Sequence, residues 1–242
     1  MCMFFEKMEK FQLVWLAIIL AFGLVLAVKT ATGTLSNDKI TVTGSAYKIV
    51  KSDSARMEFE ITNRSANRQT AYNKVKAQLP IVKQYLQDKG ITDIDVSASN
   101  GYNSYKYLPN GTMTNDVAYY NLSQPIVIKS NDVQKIKEVS TDIQSLLDKG
   151  IDINVTSTQY FYSKLADLKV DLLKDATKDA KDRATGMLKA THNRPGKIQS
   201  VNMGVFQITP LDSTDVSDMG INDTSTIDKK VTAVASVVFR IK

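Results

Sequence analysis

The apolar pattern is densest from Phe11 to Val28, FQLVWLAIILAFGLVLAV, where Gln12 is the only strongly polar side chain. As a helix rising about 1.5 Å per residue, this run comes close to the roughly 30 Å hydrocarbon core of a bilayer. It predicts a cytoplasmic N-terminus over 1–10, a transmembrane anchor over 11–28, a polar linker over 29–38 and a folded domain over 39–242. A secretory signal has a shorter apolar core and a small-residue cleavage site. Here the run leaves through Val28-Lys29-Thr30-Ala31-Thr32-Gly33 without a clean A-x-A, so a retained anchor is expected rather than a cleaved peptide. A single N-terminal span ahead of a large polar domain places that domain outside the cell membrane, in the periplasm or at the surface.

Beyond the linker the period is two. Ile40, Val42, Gly44 and Ala46 alternate with Thr41, Thr43 and Ser45, and Met57, Phe59 and Ile61 alternate with Glu58, Glu60 and Thr62. These predict two strands joined as a hairpin at Lys51-Ser52-Asp53. From Ser65 to Lys89 the period becomes helical, with Ala71, Val75, Val82 and Leu86 on one stripe, Pro80 inside and Gly90 as the stop. A strand follows over Ile91 to Ser99. Asn131 is the expected cap of a second helix with Val133, Ile136, Ser140, Ile143 and Leu147 inward, ended by Gly150 before a strand from Ile151. The junctions Leu86-Gln87-Asp88-Lys89-Gly90-Ile91 and Leu147-Asp148-Lys149-Gly150-Ile151 echo one another. The longest helix runs from Ser163 to about Ala190 with Leu168, Leu172, Ala176, Ala180, Ala184 and Met187 on its inner face. Strands from Ile198 to Ile208 and Val231 to Ile241 close the chain, the last one central and covered on both faces. The sum is an α/β (α+β) domain: a mixed, largely antiparallel sheet with packed helices, preceded by one transmembrane helix.

One hairpin stands out. It turns at Asn110-Gly111 and carries Tyr102, Tyr105 and Tyr107 before the turn and Tyr119 and Tyr120 after it, half of the ten tyrosines in the chain. Such a cluster reads either as cross-strand aromatic pairing on a half-buried sheet or as a contact surface for another subunit. These five are the candidate self-association residues.

Composition adds little to the choice of partner. The formal charge of +6 arises from 31 basic and 25 acidic residues spread without a run of like charge, which gives no nucleic-acid arm. Cys2 is the single cysteine and precedes the apolar run, so the domain has no intramolecular disulfide. It also stands on the wrong side of that run for a lipoprotein.

Candidate chemistry is sparse. The lone histidine, His192, follows the longest helix, where it is expected to interact with terminal carbonyls rather than serve as a base. No H-E-x-x-H, G-x-S-x-G, P-loop or Cys/His zinc cluster occurs. Asp167, Asp171, Asp175 and Asp179 form a row interleaved with lysines, which reads as a solvated ion-pair face rather than a cation site. The segment Thr209 to Lys229, with Asp212, Asp215, Asp218, Asp223 and Asp228, lacks calcium-loop spacing and reads as a mobile surface loop. No enzyme, cofactor or metal is expected; a hydrolase using carboxylates is the remote alternative.

The ordered elements resemble the SIMPL-domain family, which includes bacterial periplasmic and outer-membrane-associated immunogenic proteins. The resemblance is carried by Ile40-Thr41-Val42-Thr43-Gly44-Ser45-Ala46, Asp53-Ser54-Ala55-Arg56, Leu86 to Ile91, Ala176, Ala180 and Ala184, Gly196-Lys197-Ile198 and Val231 to Ile241. Ser52 stands where the family usually has proline, and Ser123-Gln124-Pro125 interrupts the usual passage from tyrosines to an apolar strand. The resemblance implies an envelope location, assembly into oligomers in some members, a link to envelope stress, and no catalytic residues. The expected protein is thus membrane-bound through its N-terminal helix and homo-oligomeric. Binding of a small molecule or peptide is the alternative.

Overall fold

The computed structural model describes residues 14–29 and 38–242. Residues 14–29 form a helix, α1, exposed along its length. Among the described residues no helix is long and apolar enough to cross a membrane. Phe11, Gln12 and Leu13 of the expected span, and most of the linker, lie outside the described residues.

The domain holds two mostly antiparallel sheets rather than one. In the first, β1 (Lys39–Lys51) lies along the whole of β10 (Asp228–Ile241). On the far side of β10 sit β7 (Pro195–Met203) and β8 (Gln207–Pro210), with the short β9 (Ile221–Asn222) parallel to β8. The strand expected over Ile198 to Ile208 is therefore two strands placed end to end along β10. The long helix α4 (Leu165–Lys189) covers one face, packing Leu168, Leu172, Ala176, Ala180 and Ala184 on Val231, Ala233, Ala235 and Val237. At Gly44 the helix backbone approaches so closely that an added Cβ would lie 2.8 Å from Ala180 Cα. β10 is central, as expected, but Val234 and Val238 on its other face are only half-buried, so the sheet is not covered on both sides.

In the second sheet the order is β3 (Asp93–Val96), β5 (Met113–Ser130), β2 (Ser54–Ser65) and β6 (Asp152–Phe161), with β4 (Asn100–Tyr107) beside the first half of β5. Its inner face carries Met57, Phe59, Ile61, Ile126, Ile128 and Ile153. Against them pack α2 (Arg68–Asp88), α3 (Val133–Asp142) and a 3₁₀ segment, Ile143–Lys149. The cap of α3 is Asp132, whose carboxylate accepts from Gln134 N and Lys135 N, not Asn131. Val139 is buried where Ser140 was expected, one step of the Val133, Ile136, Val139 spacing, and Leu146 is buried where Leu147 was expected because the chain tightens from α-helical to 3₁₀ pitch after Asp142. In α4 the stripe likewise ends on buried Leu188, with Met187 exposed.

β1 and β2 do not form the expected hairpin. No residue between them takes positive φ, which a two-residue hairpin turn requires. Instead Ser52 N donates to Ile227 O and Asp53 N to Phe161 O, each at 2.9 Å, and the chain steps from the first sheet into the second. The Asp53 carboxylate accepts from Ser163 N (2.8 Å) and Ser163 Oγ (2.6 Å), fixing the approach to α4, which begins at Leu165 rather than at Ser163.

Gln124 and Pro125 sit inside a continuous β5. Pro125 has no N–H, and in a strand the N–H and C=O of one residue point to the same neighbour. Pro125 O accepts from Ser97 N, which places the missing donor in the gap between β3 and β4, where no ladder bond is lost. Gln124 is buried and fills that gap, donating to Ser97 O and accepting from Ser99 Oγ.

Candidate functional site

The tyrosine hairpin forms, turning at Gly111 with φ +82°. Pairing of β2 with β5 ends at Ser65 opposite Tyr120. From Tyr119 back to Met113, β5 is paired with β4 alone, so the hairpin projects past the sheet as a two-stranded arm. Its outer part exposes Tyr105, Tyr107, Leu108 and Met113.

The five tyrosines are not cross-strand partners. Tyr102 lies opposite Asn121, Ser104 opposite Tyr119, Asn103 opposite Tyr120, Tyr105 opposite Val117 and Tyr107 opposite Met113. Strand alternation then divides them. Tyr102 and Tyr119 belong to the open face of the second sheet, whereas Tyr105 and Tyr120 face the start of α2, where they line a recess of about 260 Å³ with Arg68 that Tyr102 also reaches. Tyr107 stands near the tip.

On the open face the register assembles polar side chains into rows. Arg64, Asn121 and Tyr102 form one row across β2, β5 and β4. Asp152, Thr62, Ser123 and Asn100 form another across four strands, and Asn154 stands opposite Glu60. Thr62 Oγ1 donates to Asp152 Oδ2 (2.9 Å), Asn154 Nδ2 to Glu60 Oε1 (3.1 Å) and Asn121 Nδ2 to Ser104 Oγ (2.8 Å). The Arg64 guanidinium lies 4.8 Å above the centroid of Tyr119. All of these row residues except Asn100 line an open groove of about 860 Å³ at the base of the arm. The sequence marks each of these residues as solvent-facing by its period of two, but only the register brings them into one groove.

A second polar centre closes the molecule. Asp223 and Lys229 are buried side by side, Lys229 Nζ donating to Asp223 O (2.7 Å) and approaching Asp223 Oδ2 (3.3 Å). The same carboxylate accepts from Ser225 N (2.9 Å), Ser225 Oγ (2.6 Å) and the Thr226 hydroxyl. Burial pushes the Asp223 pKa up, but the hydrogen bonds from Ser225 and Thr226 and the Lys229 charge outweigh it and hold the carboxyl well below the usual range. Burial lowers the Lys229 pKa, opposed by Asp223. Thr224 O accepts from Tyr160 N in the second sheet, Asp223 N donates to Ile208 O in the first, and Ile227 packs on the second core. The end of the loop expected to be a mobile surface element is thus a latch between the sheets, and its buried aspartate is occupied by protein donors.

The row of aspartates on α4 also divides. Lys174 pairs with Asp171 at 2.9 Å in solvent, as an ion-pair face should. Asp179 instead accepts from Ser45 N at 2.8 Å, on the edge of β1 away from β10, and pairs with Arg183 at 2.8 Å. The Ser45 hydrogen bond, then Arg183, holds the Asp179 pKa below its ordinary value. Among the described residues no group of three or more His, Cys, Asp or Glu side chains could hold a metal ion.

No individual curated protein matches this chain. The family model for SIMPL, described as a protein of unknown function (DUF541), matches residues 40–239, from the first strand of the two-sheet domain almost to its last residue. With the match covering both sheets and all the helices that pack on them, the chain belongs to the SIMPL family.

Proposed function

We propose that the protein is a non-enzymatic, membrane-anchored envelope protein that self-associates through the β4–β5 arm. The observation that carries this reading is the arm itself. A two-stranded hairpin is marginally stable in water when it has no sheet or helix to lie on. This one extends beyond β2 and exposes Tyr105, Tyr107, Leu108 and Met113. A second copy laid on these side chains would bury them and stiffen the arm, and tyrosine and methionine are enriched in subunit contacts. Anchoring rests on the apolar run over 11–28, envelope location on that anchor, and a connection to envelope stress on the family resemblance alone.

Light scattering on the full chain in detergent tests self-association. The expected result is an oligomer that the double substitution Tyr107→Ser, Met113→Ser reduces to a monomer, with the unfolding midpoint of the domain unchanged. A wild-type protein that stays monomeric at high concentration overturns the reading. Membrane attachment is tested separately: alkaline carbonate should leave the protein in the membrane pellet, and release into the supernatant counts against an anchor.

A second reading, a ligand-binding module, is favoured by the 860 Å³ groove at the base of the arm, a volume in the range of ordinary ligand sites.

A further inference from the structure

We infer that the groove on the open face of the second sheet is a binding site for an uncharged glycan chain. This site is separate from the outer arm and does not depend on its self-association.

The chemistry of the groove selects among ligand classes. A peptide bound by strand addition needs a free backbone edge. The groove runs across the strands, from β6 over β2 and β5 to β4, so a peptide added to the free edge of β6 or β4 would lie beside the sheet and not in the groove, whose central strands β2 and β5 are paired on both sides. A peptide bound by its side chains needs apolar pockets, whereas the groove presents Glu60, Thr62, Asn121, Ser123, Asp152 and Asn154, and the two apolar residues lining it, Leu122 and Ile153, are buried in the cores on the inner face. A polyphosphate chain is disfavoured because Glu60 and Asp152 are carboxylates facing the same space. What remains is a ligand dense in hydroxyls, each able both to donate and to accept.

The hydrogen bonds within the groove leave the valencies such a ligand needs. Thr62 occupies one oxygen of Asp152 and Asn154 occupies one oxygen of Glu60, so each carboxylate keeps a second oxygen as acceptor. Asn121 and Asn154 both use the amide nitrogen internally, leaving their carbonyl oxygens. These groups are held by neighbours, which lowers the ordering cost of binding. Arg64 forms no ion pair among the described residues; its guanidinium, 4.8 Å from the Tyr119 ring centroid, lines the groove as a donor group. Tyr102 completes the set. It is 70% exposed, stands in the same cross-strand row as Arg64 and Asn121, and offers a ring face on which the apolar face of a pyranose can lie. The row from Asp152 to Asn100 crosses four strands, about 14 Å at ordinary strand spacing, which fits a short stretch of an extended chain rather than one monosaccharide.

The full chain in detergent, applied to an array of neutral and anionic oligosaccharides with the tightest neutral ligand then titrated by calorimetry, tests the site. Binding to at least one neutral oligosaccharide is expected, weakened about tenfold or more by Tyr102→Ala and by Asn121→Ala. Tyr102→Phe should retain it, since the ring face is what the sugar meets. Tyr107→Ser at the arm tip should leave glycan binding intact whether or not it dissolves an oligomer, which separates failure of this site from failure of the self-association reading. Unchanged circular dichroism and melting of each variant excludes misfolding as the cause of a loss. Absence of binding to every neutral glycan, binding indifferent to Tyr102→Ala, or preference for sulfated and phosphorylated chains overturns the proposal. So does a Tyr102→Ala variant that changes oligomer size but not glycan affinity, which would make Tyr102 part of a subunit contact.

Discussion

His192 takes φ +59°, the only non-glycine among the described residues in the left-handed region. Its N–H donates to Lys189 O and the following Asn193 N donates to Leu188 O. This is the same pair of bonds that Gly90 and Ile91 make to Gln87 O and Leu86 O, and that Gly150 and Ile151 make to Leu147 O and Leu146 O. All three are Schellman closures, and the sequence echo between the first two junctions reflects that shared geometry. At the third, histidine pays the Cβ penalty that glycine avoids. His192→Gly should therefore stabilise the domain by about 1 kcal/mol in denaturant titration, and His192→Val should destabilise it. Two glycines, Gly186 in α4 and Gly44 in β1 beneath it, make an opposed pair. Gly186 has nothing within 4 Å of an added Cβ, so Gly186→Ala should gain about 0.5–1 kcal/mol from helix propensity. Gly44→Ala would press on the backbone of Ala176 and Ala180 and should cost about 1–3 kcal/mol or more as α4 is forced off the sheet. Thermal melts of the two variants should move in opposite directions.

At the level of elements, period and the glycine stops at Gly90 and Gly150 were legible, while helix N-caps and strand pairing were not. Ala71, Val75, Val82 and Leu86 in α2 and Met57, Phe59 and Ile61 in β2 are buried as their spacing requires. Where the period itself changes, as at the α3 to 3₁₀ transition, the inward stripe slipped by one residue from Leu147 to Leu146. The hairpin expected between β1 and β2 failed because alternation states which face is buried but not which strand lies alongside. The polar groove was hidden for the same reason. Edges were also invisible: Asp179 looks like one of four solvated aspartates, yet it caps Ser45 N on the open side of β1. An edge strand with free backbone donors invites pairing with another chain, and a charged group placed there blocks it. Asp179→Ala should raise aggregation, read as a faster thioflavin T response near the melting temperature, while Asp171→Ala on the same helix should not.

For the whole molecule the latch at Asp223 and Lys229 governs how the two sheets stay together. Its carboxyl pKa is held below that of the unfolded chain, so its contribution to stability is complete above about pH 4–5 and is lost as pH falls toward the folded value. Asp223→Asn should lower stability by about 3 kcal/mol at neutral pH, since it strands a buried lysine. The gap between wild type and variant should narrow below about pH 4 in urea titrations. A gap that is constant down to pH 2 would show that the carboxylate charge is not what the latch uses.

The step of the chain from β1 directly into the second sheet sets an order of assembly. β2 to β6 occupy one continuous stretch, Ser54 to Phe161, so the second sheet and its helices can form while the rest of the chain is still being synthesised. β1 has no such option. Its partner is β10, which lies beyond the whole of the second sheet and α4 in the sequence, and among the described residues no other strand lies beside it. From emergence until β10 is made, β1 is an unpaired, β-prone segment downstream of the most apolar run in the sequence. Loop closure over that separation is slow, and it is the period in which the chain is most exposed to association with the wrong partner.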